Sequence, residues 1–155
     1  MLLASDGSTT TLLQALLGEV LELRLDEVRE GDGAEVSEAT RAALRIDERT
    51  RVLIRRSALV TSVGVEVSRN KVVAIGAFDA AVDHALHGRY PIGRIMNNTR
   101  SGHRRILLDS GWSFWEAGKR SVRCAFKSYL IVEDGVSIHI CERFNPRFLP
   151  VTAHG

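Results

Sequence analysis

The sequence is poor in the features that staple, anchor or metallate a small protein. It has only two cysteines, Cys124 and Cys141, both inside apolar runs and without a metal-ligand spacing, so they read as buried free thiols. A disulfide between neighbouring strands would be unusual in a cytosolic chain. No apolar run approaches the roughly 20 residues that cross a bilayer, and the start carries no basic segment followed by an apolar core. The expectation is a soluble, cytoplasmic protein with no membrane partner. His84 and His87 lie three apart, yet no third ligand is near them in sequence, so no metal is expected. Gly-x-Ser-x-Gly, a Walker loop and a dinucleotide fingerprint are all missing. The net charge is only +2 and the strands lack the exposed aromatic run that base stacking requires, so no nucleic-acid partner is expected.

What is present is an ordinary globular composition, 45% hydrophobic and 26% charged over 155 residues, the size of one domain spanning 1–155. Charge is segregated along the chain. Acid gathers in residues 19–48, and base between Arg89 and Lys127. A local basic field of this kind suits a small polyanion as well as nucleic acid.

Periodicity outlines the elements. Ser8 or Thr9 can cap a helix with Leu12, Leu13, Leu16 and Leu17 on one face, ended by Gly18. A strand follows over 20–28, then a polar loop over 29–38, with a short helix over 37–44. Strands over 51–60 and 65–75 form a hairpin around Gly64. Helices are expected over 78–86 and from Pro91. Strands over 103–109, 121–133 and 136–144 complete the chain, the last two joined by Glu133-Asp134-Gly135. Trp112 and Trp115 are expected in the core or in a lid. Adjacent strands with short turns favour an α+β fold, an antiparallel sheet flanked by helices.

Two strand positions carry the chemistry. Arg55 and Arg56 sit mid-strand and point to opposite faces, so one of them faces the interior. On the last strand, alternation puts Val136, Ile138, Ile140 and Glu142 on one apolar face, and Ser137, His139, Cys141 and Arg143 on the other. A buried guanidinium needs an anionic partner. That partner is either Glu142, in a plain ion pair between strands, or the carboxylate of a ligand gripped bidentately by Arg55, with Glu142 at the ligand's other end. Composition and spacing do not choose between the two. Pro91-Ile92-Gly93 and Ser5-Asp6-Gly7-Ser8 each precede a helix, where backbone N–H groups can meet an anion or simply start the helix.

Taken together, the opening Leu2-Leu3-Ala4-Ser5-Asp6-Gly7-Ser8, Val52-Leu53-Ile54-Arg55, Val67-Ser68-Arg69-Asn70, Pro91-Ile92-Gly93 and Ile138-His139-Ile140-Cys141-Glu142-Arg143-Phe144 resemble, in order and spacing, the chorismate lyase family (chorismate–pyruvate lyase, 4-hydroxybenzoate synthase) in its small bacterial and archaeal form. The resemblance implies a chorismate lyase-like sheet and a cofactor-free lyase of aromatic and secondary metabolism that splits chorismate into 4-hydroxybenzoate and pyruvate. It assigns the catalytic pair to Arg55, on the aromatic carboxylate, and Glu142, near the ring oxygen. Ser8 and Ile92 would bind ligand through backbone groups. Asn70 falls where the classical enzyme has an arginine, a departure for which Arg69, Lys71, Arg94 or Arg100 would have to compensate. The expected partner is a small, chorismate-like anion, and the chain is a monomer or homodimer.

The Asn70 departure motivates one rival, a related biosynthetic enzyme acting on a different carboxylated substrate. A second rival is a stand-alone ligand-sensing domain, because effector-binding domains of one group of bacterial transcription regulators share this antiparallel fold. Those regulators carry an N-terminal winged helix, whereas Leu2 here is expected to belong already to the first element.

Overall fold

The last hairpin sets the register of half the molecule. Glu133 pairs with Val136 across the turn at Gly135, so every later pair on strands β5 (Arg120–Glu133) and β6 (Val136–Phe144) is fixed, including Ile131 with Ile138 and Lys127 with Glu142. The computed structural model describes residues 9–76, 80–88, 104–133 and 135–151. Its other strands are β1 (Glu22–Asp32), β2 (Arg51–Val60), β3 (Glu66–Gly76) and β4 (Arg104–Ala117). The helices are α1 (Thr9–Leu17), α2 (Glu38–Leu44) and α3 (Ala80–His87). The six strands form one antiparallel sheet in the order β1-β2-β3-β6-β5-β4.

Each face of the sheet carries helix-packed apolar clusters, three in all. On the front face, α3 delivers Leu86 onto Leu53, Ala74, Ile131 and Ile138. At the other end of the same face, α1 delivers Leu13 onto Leu59, Ala125 and Phe144. On the back face, α2 delivers Leu44 onto Val52, Ile54 and Val73. Ser37 caps α2 by accepting from the Thr40 N–H, which is why the chain turns helical there. Gly76 lies at φ 116° against the carbonyl of Gly135, where any Cβ would collide with backbone.

Three expectations are corrected in extent. The segment 29–38 is not all loop. β1 continues to Asp32 because Arg29 through Asp32 pair with Ile54 back to Arg51. A single turn of 3-10 helix follows, closed by a reciprocal Asp32–Glu35 capping box. β4 does not stop at 109. It runs on through Gly111 to Ala117, with a bulge between Leu107 and Asp109. Of the two tryptophans, Trp115 is core, beneath the Arg69 guanidinium at 4.0 Å, whereas Trp112 is 52% exposed. The helix expected from Pro91 lies outside the described residues. Among the described residues no helix is long and apolar enough to cross a membrane, and no group of three or more His, Cys, Asp or Glu could hold a metal ion.

Candidate ligand site on the front face

Cross-strand pairing builds a polar row in the middle of the front face, between the α1 and α3 clusters. Ser57 on β2 pairs with Asn70 on β3, Asn70 with Glu142 on β6, and Glu142 with Lys127 on β5. The neighbouring row reads Arg55, Val72, Ile140, Tyr129. Partners in register share a face, so Arg55, Ser57, Asn70, Lys127, Tyr129 and Glu142 all project into the layer beneath α1 and α3. Arg55, Ser57, Lys127 and Glu142 are buried. Alternation sends Arg56 to the back face, where it is exposed and meets Glu27 at 3.2 Å.

The helices close onto this row through polar contacts. Thr9, the first residue of α1, donates its hydroxyl to Glu142 Oε2 at 2.9 Å. Gly88, just past α3, accepts from Arg55 Nη2 at 3.0 Å. Glu142 also lies 3.7 Å from Lys127 Nζ, and Tyr129 donates to its Oε1 at 3.5 Å. Arg105 reaches the same face with its guanidinium 5.9 Å from the Tyr129 ring.

The electrostatics follow from burial. Loss of water pushes the Glu142 carboxyl above its ordinary range, opposed by the Lys127 charge and the Thr9 hydrogen bond. Loss of water also lowers the Arg55 guanidinium to about 10. It raises the Tyr129 phenol well above its usual value, with the Glu142 charge adding to the effect. Arg55, Arg105 and Lys127 thus share this face with Glu142.

Arg55 and Glu142 share the front face but do not form the simple strand-to-strand pair that was one expectation. They are two strands apart and offset by two residues, roughly 12 Å between Cα positions, and Glu142 has Lys127 as its ion-pair partner. Asn70 stands between them, paired with Glu142 in register. Arg69 and Lys71, the nearest candidates to compensate for Asn70, fail to do so. Alternation turns both to the back face, where Arg69 binds Glu66 at 2.6 Å and the Glu116 carbonyl at 2.9 Å. Ser8, Ile92, Arg94 and Arg100 lie outside the described residues.

Sequence reasoning missed Thr9, Ser57, Lys127 and Tyr129. Periodicity offers Ser8 or Thr9 as the helix cap, and the Thr9 hydroxyl serves Glu142 instead. Lys127 was detectable. The Glu133–Val136 turn fixes the hairpin register, and that register puts Lys127 opposite Glu142. The alternation Ala125, Lys127, Tyr129, Ile131 then marks it as an interior position.

No family model and no curated protein matches the chain. Among solved structures it is similar to the C-terminal domain of the histidine utilization repressor from Pseudomonas syringae pv. tomato str. DC3000. The TM-score is 0.56 at 9% identity, over 87% of this chain and 98% of that one. At that identity the likeness bears on fold alone, and the fold is the expected α+β class, a chorismate lyase-like antiparallel sheet with helices laid on it.

Proposed function

We propose that this chain is a small-ligand-binding domain whose ligand carries a carboxylate or an equivalent anionic group. Arg55 grips that group, and the Glu142–Lys127–Tyr129 end of the floor receives the rest of the molecule. The observation that carries this reading is the polar row itself. A ligand-free core gains nothing from burying a guanidinium, an ammonium and a carboxylate in one layer, because desolvation offsets most of their attraction. A site that must orient an anion by charge-assisted hydrogen bonds does need them there. That a repressor domain has this fold supports a sensing role over catalysis. The test is titration calorimetry of the purified chain against a panel of small carboxylates and phosphates. Saturable binding that is lost in Arg55→Met supports the proposal, and a panel with no binder at all refutes it.

One observation favours a second reading, the cofactor-free cleavage of chorismate to 4-hydroxybenzoate and pyruvate. Glu142 is buried and its carboxyl is held above the ordinary range. The upward shift favours a proton on this carboxyl, which can pass to the ether oxygen as the ring C–O bond breaks and that oxygen leaves with the enolpyruvyl group, the ring C–H proton going to the carboxylate so formed, while Arg55 holds the ring carboxylate. Aromatisation drives such a reaction, so positioning and charge stabilisation suffice. Mass spectrometry after mixing protein and chorismate decides. Formation of both products above the uncatalysed rate, and its loss in Glu142→Gln, supports the lyase. Binding of 4-hydroxybenzoate without turnover supports the sensor.

A further inference from the structure

The buried polar atoms around Arg55 do not all have work in the protein. Ser57 Oγ, Ser68 Oγ and Asn70 Oδ1 are shielded from solvent, and none has a hydrogen-bond partner among the described residues. Ser57 and Ser68 are 2% and 1% exposed. Buried polar groups are paired in the great majority of cases, and each exception calls for an explanation. These three exceptions are neighbours. Ser57 and Asn70 are direct cross-strand partners, and Ser68 is two residues from Asn70 on the same face of β3. Ser57 is likewise two residues from Arg55 on the same face of β2, about 7 Å away along the strand.

We infer that Ser57, Asn70 and Ser68 form a hydroxyl-reading subsite beside the Arg55 anion grip, so that the ligand is a polyhydroxylated acid rather than a flat aromatic one. This deepens the ligand-binding reading and rests on it. The donor and acceptor inventory sets the class. An amide oxygen only accepts, and a serine hydroxyl both donates and accepts. Sugar-type hydroxyls satisfy all three atoms at once, because each donates one hydrogen bond and accepts others. An aromatic ring edge or an alkyl chain satisfies none of them and leaves all three buried groups unpaired. The one or two hydroxyls next to the acid group of such a ligand fall within reach of Ser57 and Asn70 when Arg55 holds the acid. The acid itself is a carboxylate or a phosphate, since a guanidinium fork accommodates both.

The test uses the purified chain and four probes in titration calorimetry: gluconate, glucose 6-phosphate, hexanoate and benzoate. At least one hydroxylated probe is expected to bind tenfold or more tighter than hexanoate and benzoate, and the stronger of the two identifies the acid. Ser57→Ala and Asn70→Leu are expected to reduce that preference about tenfold while leaving any hexanoate or benzoate affinity within twofold. A readout in the absence of ligand accompanies this. Ser57→Ala removes a buried hydroxyl that makes no hydrogen bond with the described residues, so its Tm is expected to rise by about 2 to 4 °C, which also guards against a variant that merely fails to fold. If hexanoate or benzoate binds as tightly as the hydroxylated probes, or if the variants leave the preference intact, the subsite is overturned while the ligand-binding reading survives. If no probe of any kind binds, both fall together.

Discussion

Replacing Glu142 with glutamine leaves one side-chain oxygen where Thr9 and Tyr129 donate to Oε2 and Oε1, and it removes the negative charge 3.7 Å from Lys127 Nζ. The side chains of Lys127 and Glu142 are only 2% and 9% exposed, so neither can recover its hydration by a small movement. Breaking a buried pair by removing one charge typically costs about 3–5 kcal/mol, because the remaining ion is left in a dry layer. At roughly 2–4 °C per kcal/mol for a chain of this size, Glu142→Gln should lower Tm by roughly 6 to 20 °C at neutral pH. Lys127→Met should cost less, because the stranded carboxyl can take up a proton, a state that burial already favours. The double variant carries no ion in the pair, so it should be more stable than Glu142→Gln alone. Urea denaturation of all four proteins at pH 7 gives the coupling energy directly, and a value of about 1–3 kcal/mol is expected. If the two single costs simply add, the pair is not coupled and the electrostatic description of the row is wrong.

Two further predictions concern the back face and the turn. His139 is buried on the back face, and burial, with Lys71 adding to it, lowers its proton affinity from the ordinary 6.5. The unfolded imidazole therefore takes a proton at a pH where the folded one does not. Its contribution to stability is complete above 6.5 and is lost as pH falls below that value toward the folded pKa. Comparing wild type with His139→Gln by urea denaturation at pH 7.5 and 5.5, the variant should gain on wild type at the lower pH, and parallel curves would contradict the assignment. Gly76→Ala forces a Cβ into the Gly135 carbonyl at φ 116°. It should cost about 1–3 kcal/mol from backbone strain alone, read as a lower calorimetric Tm.

Much of this architecture was legible because alternation is robust where one face of a strand is buried. Glu142 follows Val136, Ile138 and Ile140 onto the front face, and the split between Arg55 and Arg56 needs only the pleat. The strand lengths were harder to read. Gly31 and Asp32 resemble turn residues, yet β2 offers paired backbone as far as Arg51, and β1 follows it. Ser110-Gly111 reads as an end, but Lys127 and Phe126 on β5 hold it in the sheet. Bulges at Leu25/Glu27 and at Leu59/Val60 shift the register on both sides of β2, and alternation alone does not locate such a shift. The neighbours of Arg55 were therefore not readable from spacing. Ser57 and Asn70 meet only once the β2–β3 register is known. Thr9 could not be assigned to Glu142, because the two are 133 positions apart and are brought together by where α1 docks.

The most direct measurement of the central claim is calorimetric titration of wild type and Arg55→Met with the acid probe that binds tightest. Charge-assisted hydrogen bonds to a buried carboxylate or phosphate are worth about 1.5–3 kcal/mol, so the variant should bind roughly 10- to 100-fold more weakly, or not at all, while its unfolding remains cooperative. Equal affinity in the two proteins would mean that Arg55 is part of the scaffold and that the polar row binds no anion.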